Sequence, residues 1–200
     1  MPDTNYVNYQ LFGRPFVIMI EENDLMLVRQ CLEGDAKAFE LLVSKYQKIM
    51  FNVALRMINN YEDAEDVTQS AFVKVFDKLD TFDPDYRFFS WLYRITINES
   101  LNFLNQRKQF AELDKSLISN EKTLEQRYQE RETSRNIQRA LMDLKLEYRT
   151  VIILKHFQDL SYREIGHILQ LPEKTVKSRL FTARQLLKSI LIDKGIGRND

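Results

Sequence analysis

The chain has 200 residues, 29 basic and 29 acidic, so its formal net charge is zero, and it holds 5 glycines, 4 prolines and 1 cysteine. This length allows one large domain or two small ones, and the scarcity of Gly and Pro disfavours β-rich architectures and long disordered tracts. A lone Cys31 excludes an intrachain disulfide or a thiolate zinc cluster, and two histidines are too few for a histidine metal site, so no cofactor is expected.

Cysteine usage fits a reducing, cytoplasmic compartment. No stretch approaches the ~20 apolar residues that cross a bilayer. The run Phe16–Ile20 is too short for a signal-peptide core, so the chain reads as soluble and not exported. Neutrality hides an asymmetry. Residues 1–100 carry 10 basic and 16 acidic side chains (10 − 16 = −6), whereas residues 101–200 carry 19 and 13 (19 − 13 = +6). Halves of opposite sign suggest different partners.

Residues 1–23 form an aromatic-rich N-terminal extension without clear periodicity. Met19 stands just before the first regular pattern, and residues 1–18 are expected to be dispensable. Regular helix is expected from Asp24. A second helix should open at the N-cap candidate Asp35 and run to about Asn59, with Phe39, Leu42, Tyr46, Ile49, Val53 and Met57 as its apolar stripe. A third, over about Glu62 to Leu79, should bury Ala64, Val67, Ala71, Val75 and Leu79. Its first turns hold Glu62, Asp63, Glu65 and Asp66, which favour a helix N-terminus. Phe72, Val73 and Phe76 exceed what that stripe needs. Core packing plus dipole, or a docking surface for a basic helical partner, both fit the spacing.

Pro84 and its flanking aspartates mark a loop. A fourth helix is expected from about Phe88 to Lys108, with Trp91, Leu92, Ile95 and Leu101 inward. Asn98, Asn102 and Asn105 recur at i, i+4 and i+7 as one amide stripe. Asparagine is a mediocre helix former, so the stripe is either a base-reading face or plain polar surface. Residues 24–108 thus read as a compact helical unit, 109–133 as a polar linker, and 134–192 as a second unit. Ile137, Leu141, Leu144 and Val151–Phe157 supply its scaffold.

The most informative stretch is Ser161–Leu187. Ser161 and Glu164 match a capping box, Ile165, Ile168 and Leu169 give an apolar face, Gln170-Leu171 carry a turn, and Pro172 suits a first helical turn. Val176, Leu180, Ala183, Leu187 and Ile190 then form a buried stripe. Lys174, Lys177, Ser178, Phe181, Thr182 and Gln185 fall outward, offering cations to phosphates and polar groups to base edges. Residues 171–188 hold five Lys/Arg against one Glu (5 − 1 = +4) in a neutral chain, which favours a DNA-binding helix-turn-helix over an ordinary helix pair.

Taken together, DAEDVTQSAFVKVF (63–76), WLYRITINESLNFLNQRK (91–108) and LSYREIGHILQLPEKTVKSRLFTARQLL (160–187) resemble an extracytoplasmic-function (ECF) sigma factor of the sigma-70 family. The likeness covers about residues 24–191. It implies an all-α fold of two small helical domains joined by a flexible linker: sigma domain 2 (24–108) for core polymerase and the minus-ten element, and sigma domain 4 (134–192) for the minus-thirty-five element. By resemblance, Asp66, Gln69, Phe72 and Phe76 contact polymerase. Loop 81–90 captures a flipped base, with Asn98 and Asn102 at neighbouring recognition positions. Lys177, Ser178, Phe181 and Thr182 match major-groove reading positions, and Lys155, Tyr162 and Arg163 match backbone-facing ones. Several relatives carry Arg where Thr182 stands.

The partners so implied are core RNA polymerase (the β′ clamp helices and β subunit), promoter DNA and an anti-sigma factor, with no catalytic residue and no membrane insertion. Capture of an extruded base would offset a melting cost of a few kcal/mol. Acidic residues 1–100 predict weak promoter binding without polymerase. The alternative is a regulator of the response-regulator output type, which would need a receiver or ligand domain; residues 24–108 lack the alternating strands of a receiver. An enzyme, such as a nuclease, finds no metal-ligand set or phosphate-binding glycine loop.

Overall fold

The computed structural model describes residues 6–9, 16–19, 24–113 and 132–196. Eight helices make up its body: α1 (Asp24–Leu32), α2 (Ala36–Ile58), α3 (Tyr61–Asp77), α4 (Phe88–Leu113), α5 (Glu132–Met142), α6 (Leu146–Ile152), α7 (Tyr162–Leu169) and α8 (Glu173–Asp193). The expected all-helical class holds among the described residues from Asp24 onward. Upstream, in the extension read as aperiodic, strand β1 (Tyr6–Tyr9) pairs antiparallel with β2 (Phe16–Met19), Tyr6 opposite Met19 and Tyr9 opposite Phe16. Both segments are aromatic and β-branched, the composition that suits a pleated strand.

Capping decides the helix limits. Asp35 accepts the amide of Lys37 at the start of α2, and Asn59, in the left-handed conformation at φ 63°, ends it. Asn60 then caps α3 through the Asp63 amide. A single 3₁₀ turn, Leu79–Thr81, leads into the loop. Helix α4 runs to Leu113, five residues into the segment read as linker; the remainder of that segment, 114–131, lies outside the described residues.

The stripes predicted for α2 and α3 form the observed core. Of the α4 residues expected inward, only Leu92 is fully buried, whereas Trp91, Ile95 and Leu101 are half-buried. Leu42, Tyr46, Ile49, Val53 and Met57 of α2 are buried against Ala64, Val67, Ala71 and Val75 of α3 and against Phe88, Leu92 and Ile97 of α4. Phe39 is only half-buried and meets Phe76 edge-on. Helix α1 is tied down by Asp24, whose carboxylate accepts from the buried Tyr46 hydroxyl and pairs with Lys45 at 2.7 Å. Burial and the neighbouring Asp24 charge push the Tyr46 phenol far above its ordinary value, so the ring stays a neutral donor.

The two helical units do not stand apart. One apolar cluster runs through both. The junction forms where α2 ends, because a helix C-terminus leaves carbonyls without intrahelical donors. Gln138 of α5 donates to the Arg56 carbonyl at 3.2 Å, and Arg149 of α6 donates to that of Met57 at 2.7 Å. The same buried guanidinium also donates to the carbonyls of Leu141, Met142 and Leu144, closing the turn between α5 and α6. Burial lowers its pKa, with Asp143 acting against that. The Arg56 guanidinium stacks over Phe157 at 3.9 Å.

Candidate nucleic-acid interface

The helix-turn-helix is built as its sequence demands. Ser161 accepts the Glu164 amide while Glu164 Oε2 accepts the Ser161 amide at 2.8 Å, a complete capping box. Gln170 ends α7 at φ 54°, and the Leu171 amide returns to the Gly166 carbonyl at 2.8 Å. The turn closes so tightly that a Cβ on Gly166 would lie 2.7 Å from the Leu171 carbonyl oxygen. Pro172 sits one residue earlier than its first-turn expectation: it is the N-cap of α8, at ψ 142°, and Glu173 is the first helical residue. Its ring still costs the helix no hydrogen bond there.

Helix α8 buries Val176, Leu180 and Ala183, half-buries Leu187 and Ile190, and leaves Lys174, Lys177, Ser178, Phe181, Thr182 and Gln185 exposed. All six outward expectations hold. Phe181 is 65% exposed, a large apolar ring turned to solvent on a polar face. Ser178 and Thr182 donate back to the carbonyls of Thr175 and Ser178, which leaves their hydroxyl oxygens open as acceptors. Lys177 pairs with Glu173 at 2.7 Å, and that carboxylate raises the lysine's pKa.

Three of the sequence-named residues come together around one ring. The ammonium groups of Lys155 and Lys177 lie 5.6 and 5.5 Å from the centre of the Tyr162 ring. Lys155 is less free than a phosphate-facing role suggests. It lies in the π-helical turn Ile153–Phe157, donates to the Leu160 carbonyl at 3.0 Å and pairs with Asp159 at 3.6 Å. Arg163 is exposed. His156 was missed as a contributor: its Nε2 accepts from Arg184 at 3.1 Å, fastening that turn to α8.

A second candidate surface is α4. Asn98, Asn102 and Asn105 are all exposed, and Arg94 precedes them by one turn on the same face. The loop before α4 rests on an aromatic base, with Phe82 against Phe88 and Trp91 at ring separations of 5.6 and 5.5 Å. Tyr86 and Arg87 project from it, exposed.

The third surface is α3. Asp66, Gln69 and Phe76 are exposed, but Phe72 is only 8% exposed and belongs to the core, whereas Val73 is 60% exposed. The outward row is therefore Glu62, Asp66, Gln69, Val73 and Phe76, the i, i+4, i+7, i+11, i+14 spacing of one helical face. That spacing was available in the sequence. Family resemblance names Phe72 as a contact, but it lies one position off that row.

No group of three or more His, Cys, Asp or Glu side chains among the described residues is arranged to hold a metal ion, and no described helix is long and apolar enough to cross a membrane.

Fold and site together define a helix-turn-helix protein whose basic second helix, α8, belongs to a unit packed on another helical unit. Comparison with known proteins narrows the class. The Sigma-70 region 2 family matches residues 42–110 and the Sigma-70, region 4 family matches residues 134–187. The chain is 33% identical to the RNA polymerase sigma-H factor of Pseudomonas aeruginosa over 87% of its length and 96% of that protein. It is 33% identical to the ECF sigma factor SigW of Bacillus subtilis, over 83% and 95%. Identity to the ECF sigma-E factor of Escherichia coli is 34%, over 82% and 92%. Among solved structures, CnrH in complex with the cytosolic domain of CnrY superposes with a TM-score of 0.65 at 26% identity, covering 86% of this chain and 99% of that one. The sigma factor RpoE of Bartonella quintana, in complex with the anti-sigma factor NepR, shares the fold with a TM-score of 0.68 at 22% identity, over 78% and 98%. This chain belongs to the ECF sigma factors of the sigma-70 family, and its function is that of an RNA polymerase sigma factor in promoter-specific initiation. The output-type regulator is not favoured.

Proposed function

We propose that the chain holds a promoter at two places while bound to core polymerase, and that its three exposed surfaces divide the work. Helix α8 reads the upstream duplex from the major groove through Lys177, Ser178, Phe181 and Thr182. Tyr162 and Arg163 face the phosphate backbone beside it, with Lys155 supporting Tyr162. The α4 face, with Asn98 and Asn102, takes bases of the downstream strand once it is unpaired, and the aromatic-based loop 82–87 receives an extruded base. The α3 row docks on the β′ clamp helices of polymerase through Asp66, Gln69 and Phe76, with Val73 in the place expected of Phe72.

The observation that carries this reading is the exposed amide row of α4, on the helix that begins at a loop buttressed by Phe82, Phe88 and Trp91. Asparagine on three turns of one face does nothing for helix stability, and an aromatic-supported loop at the start of the same helix is a suitable seat for an unstacked base. In this reading the chain is not an enzyme, because polymerase performs the chemistry, and it acts in the cytoplasm. CnrH and the Bartonella RpoE are each seen with an anti-sigma partner, which supports a partner of that kind here.

The division of labour is tested by run-off transcription and permanganate footprinting with core polymerase on a promoter selected from a genomic library. Lys177→Ala should weaken closed-complex formation and flatten its salt dependence by about one unit of slope. Asn98→Ala should leave closed complexes intact and reduce strand opening. Equal effects of both substitutions on both steps, or no transcription by the unaltered chain, would overturn the reading.

A further inference from the structure

The outward side of α8 is made of two neighbouring rows. Lys174, Ser178 and Thr182 form one, and Glu173, Lys177 and Phe181 the other, each at i, i+4 and i+8. All six side chains are exposed, so the second row sets an acid at the head of the face assigned to the major groove. A helix-turn-helix meets base edges through the N-terminal residues of its second helix, and Glu173 is the first helical residue of α8. A carboxylate in that place stands against the repulsion of the phosphate backbones. Two features offset the repulsion. Glu173 Oε1 pairs with Lys177 Nζ at 2.7 Å, and the positive end of the helix dipole lies beneath the acid.

Dipole and ion pair account for an acid in the first turn of any helix. They use only one of its two oxygens. Among the described residues nothing donates to Glu173 Oε2, which leaves an acceptor on the exposed face. In the major groove only cytosine N4 and adenine N6 offer hydrogens to such an acceptor. Adenine N6 stands beside N7, whose lone pair repels a carboxylate, so cytosine is the better match. We propose that Glu173 is a specificity-determining residue of α8: its Oε2 accepts from cytosine N4 in the major groove, while Lys177 holds the other oxygen. This role rests on the assignment of α8 to the upstream duplex, and adds to it the base that the first turn selects.

The test uses holoenzyme assembled from core polymerase and the intact chain, with a pool of promoter duplexes randomised through the upstream element. Bound duplexes are sequenced for wild type, Glu173→Ala and Glu173→Gln. One charge-assisted hydrogen bond to a base edge gives about a five- to tenfold preference. Wild type should favour cytosine by about that factor at one upstream position. Glu173→Ala should flatten the preference at that position and at no other. Glutamine matches adenine N6 and N7 together, so Glu173→Gln should move the preference there from cytosine toward adenine. A purely structural role in the first turn would lower binding evenly and leave the choice of base unchanged. Unaltered preferences in both variants, a change spread over all positions, or a wild-type preference for another base at the altered position would overturn the role of Glu173 and leave α8 on the upstream duplex. A wild-type chain that selects no upstream base would instead remove that assignment, and the role with it.

Discussion

Replacing Gly166 by alanine isolates the geometry on which the proposed upstream recognition depends. An alanine in a helix interior is favoured over glycine by about 1 kcal/mol, so propensity alone predicts a more stable protein. The structure predicts the reverse. The new methyl would stand 2.7 Å from the Leu171 carbonyl oxygen, with Val176 Cγ2 at 3.8 Å on its other side. The oxygen belongs to backbone and has little room to retreat. Its own residue's amide is bonded to the Gly166 carbonyl at 2.8 Å, and Gln170 before it is already held at a positive φ. Relief must come from separating α7 and α8, an overpacking strain of about 1–3 kcal/mol. The steric cost outweighs the propensity gain, leaving a net loss of about 1 kcal/mol, or about 2–4 °C in melting temperature for a chain of this size. Thermal unfolding followed by circular dichroism measures the net effect, and amide exchange over residues 162–180 locates it. Binding to an upstream duplex, measured within holoenzyme, should weaken in parallel as the reading helix loses its fixed angle. A melting temperature equal to or above wild type would show that the turn yields freely, and the argument from close approach would be wrong.

Arg149→Met keeps the apolar stem but removes the donors that serve the carbonyls of Met57, Leu141, Met142 and Leu144. Buried acceptors without donors should lower stability by about 3 kcal/mol or more in urea denaturation, and a change below about 1 kcal/mol would refute the junction's role. His156 titrates below its ordinary value of 6.5 because it is partly buried and faces Arg184 and Lys155. The unfolded chain therefore binds the proton more readily. The contribution of His156 to stability is complete above about pH 6.5 and is lost as the pH falls below that toward the depressed folded value. Between pH 7.5 and 5.5 the melting temperature of wild type should fall further than that of His156→Gln, which still accepts from Arg184; equal slopes would refute it.

Much of this was legible without coordinates, for a specific reason. Caps and stripes are local. Asp35 and the Ser161–Glu164 box act within four residues, and helical spacing alone sorted the inward and outward sides of α2 and α8. Periodicity separates two faces without saying what lies against either. Resemblance to the family names Phe72 as a contact, yet it is drawn into the core while Val73 is at the surface. Lys155 looked available to phosphate, yet it is engaged by the Leu160 carbonyl and Asp159. Pro172 was placed one position late, an error of the size that helix ends usually carry.

The amino-acid order by itself determined where the capped helices begin, which side of each is apolar, and the positive charge concentrated on α8, since each depends on neighbours one or two turns away. Tertiary structure decided that the two units share one apolar cluster, that Arg149 reaches across to the end of α2, and that His167 lies on Tyr86. These contacts join residues some eighty to ninety positions apart. Such contacts depend on how finished helices fit against one another, and shape complementarity of that kind leaves no periodic trace along the chain.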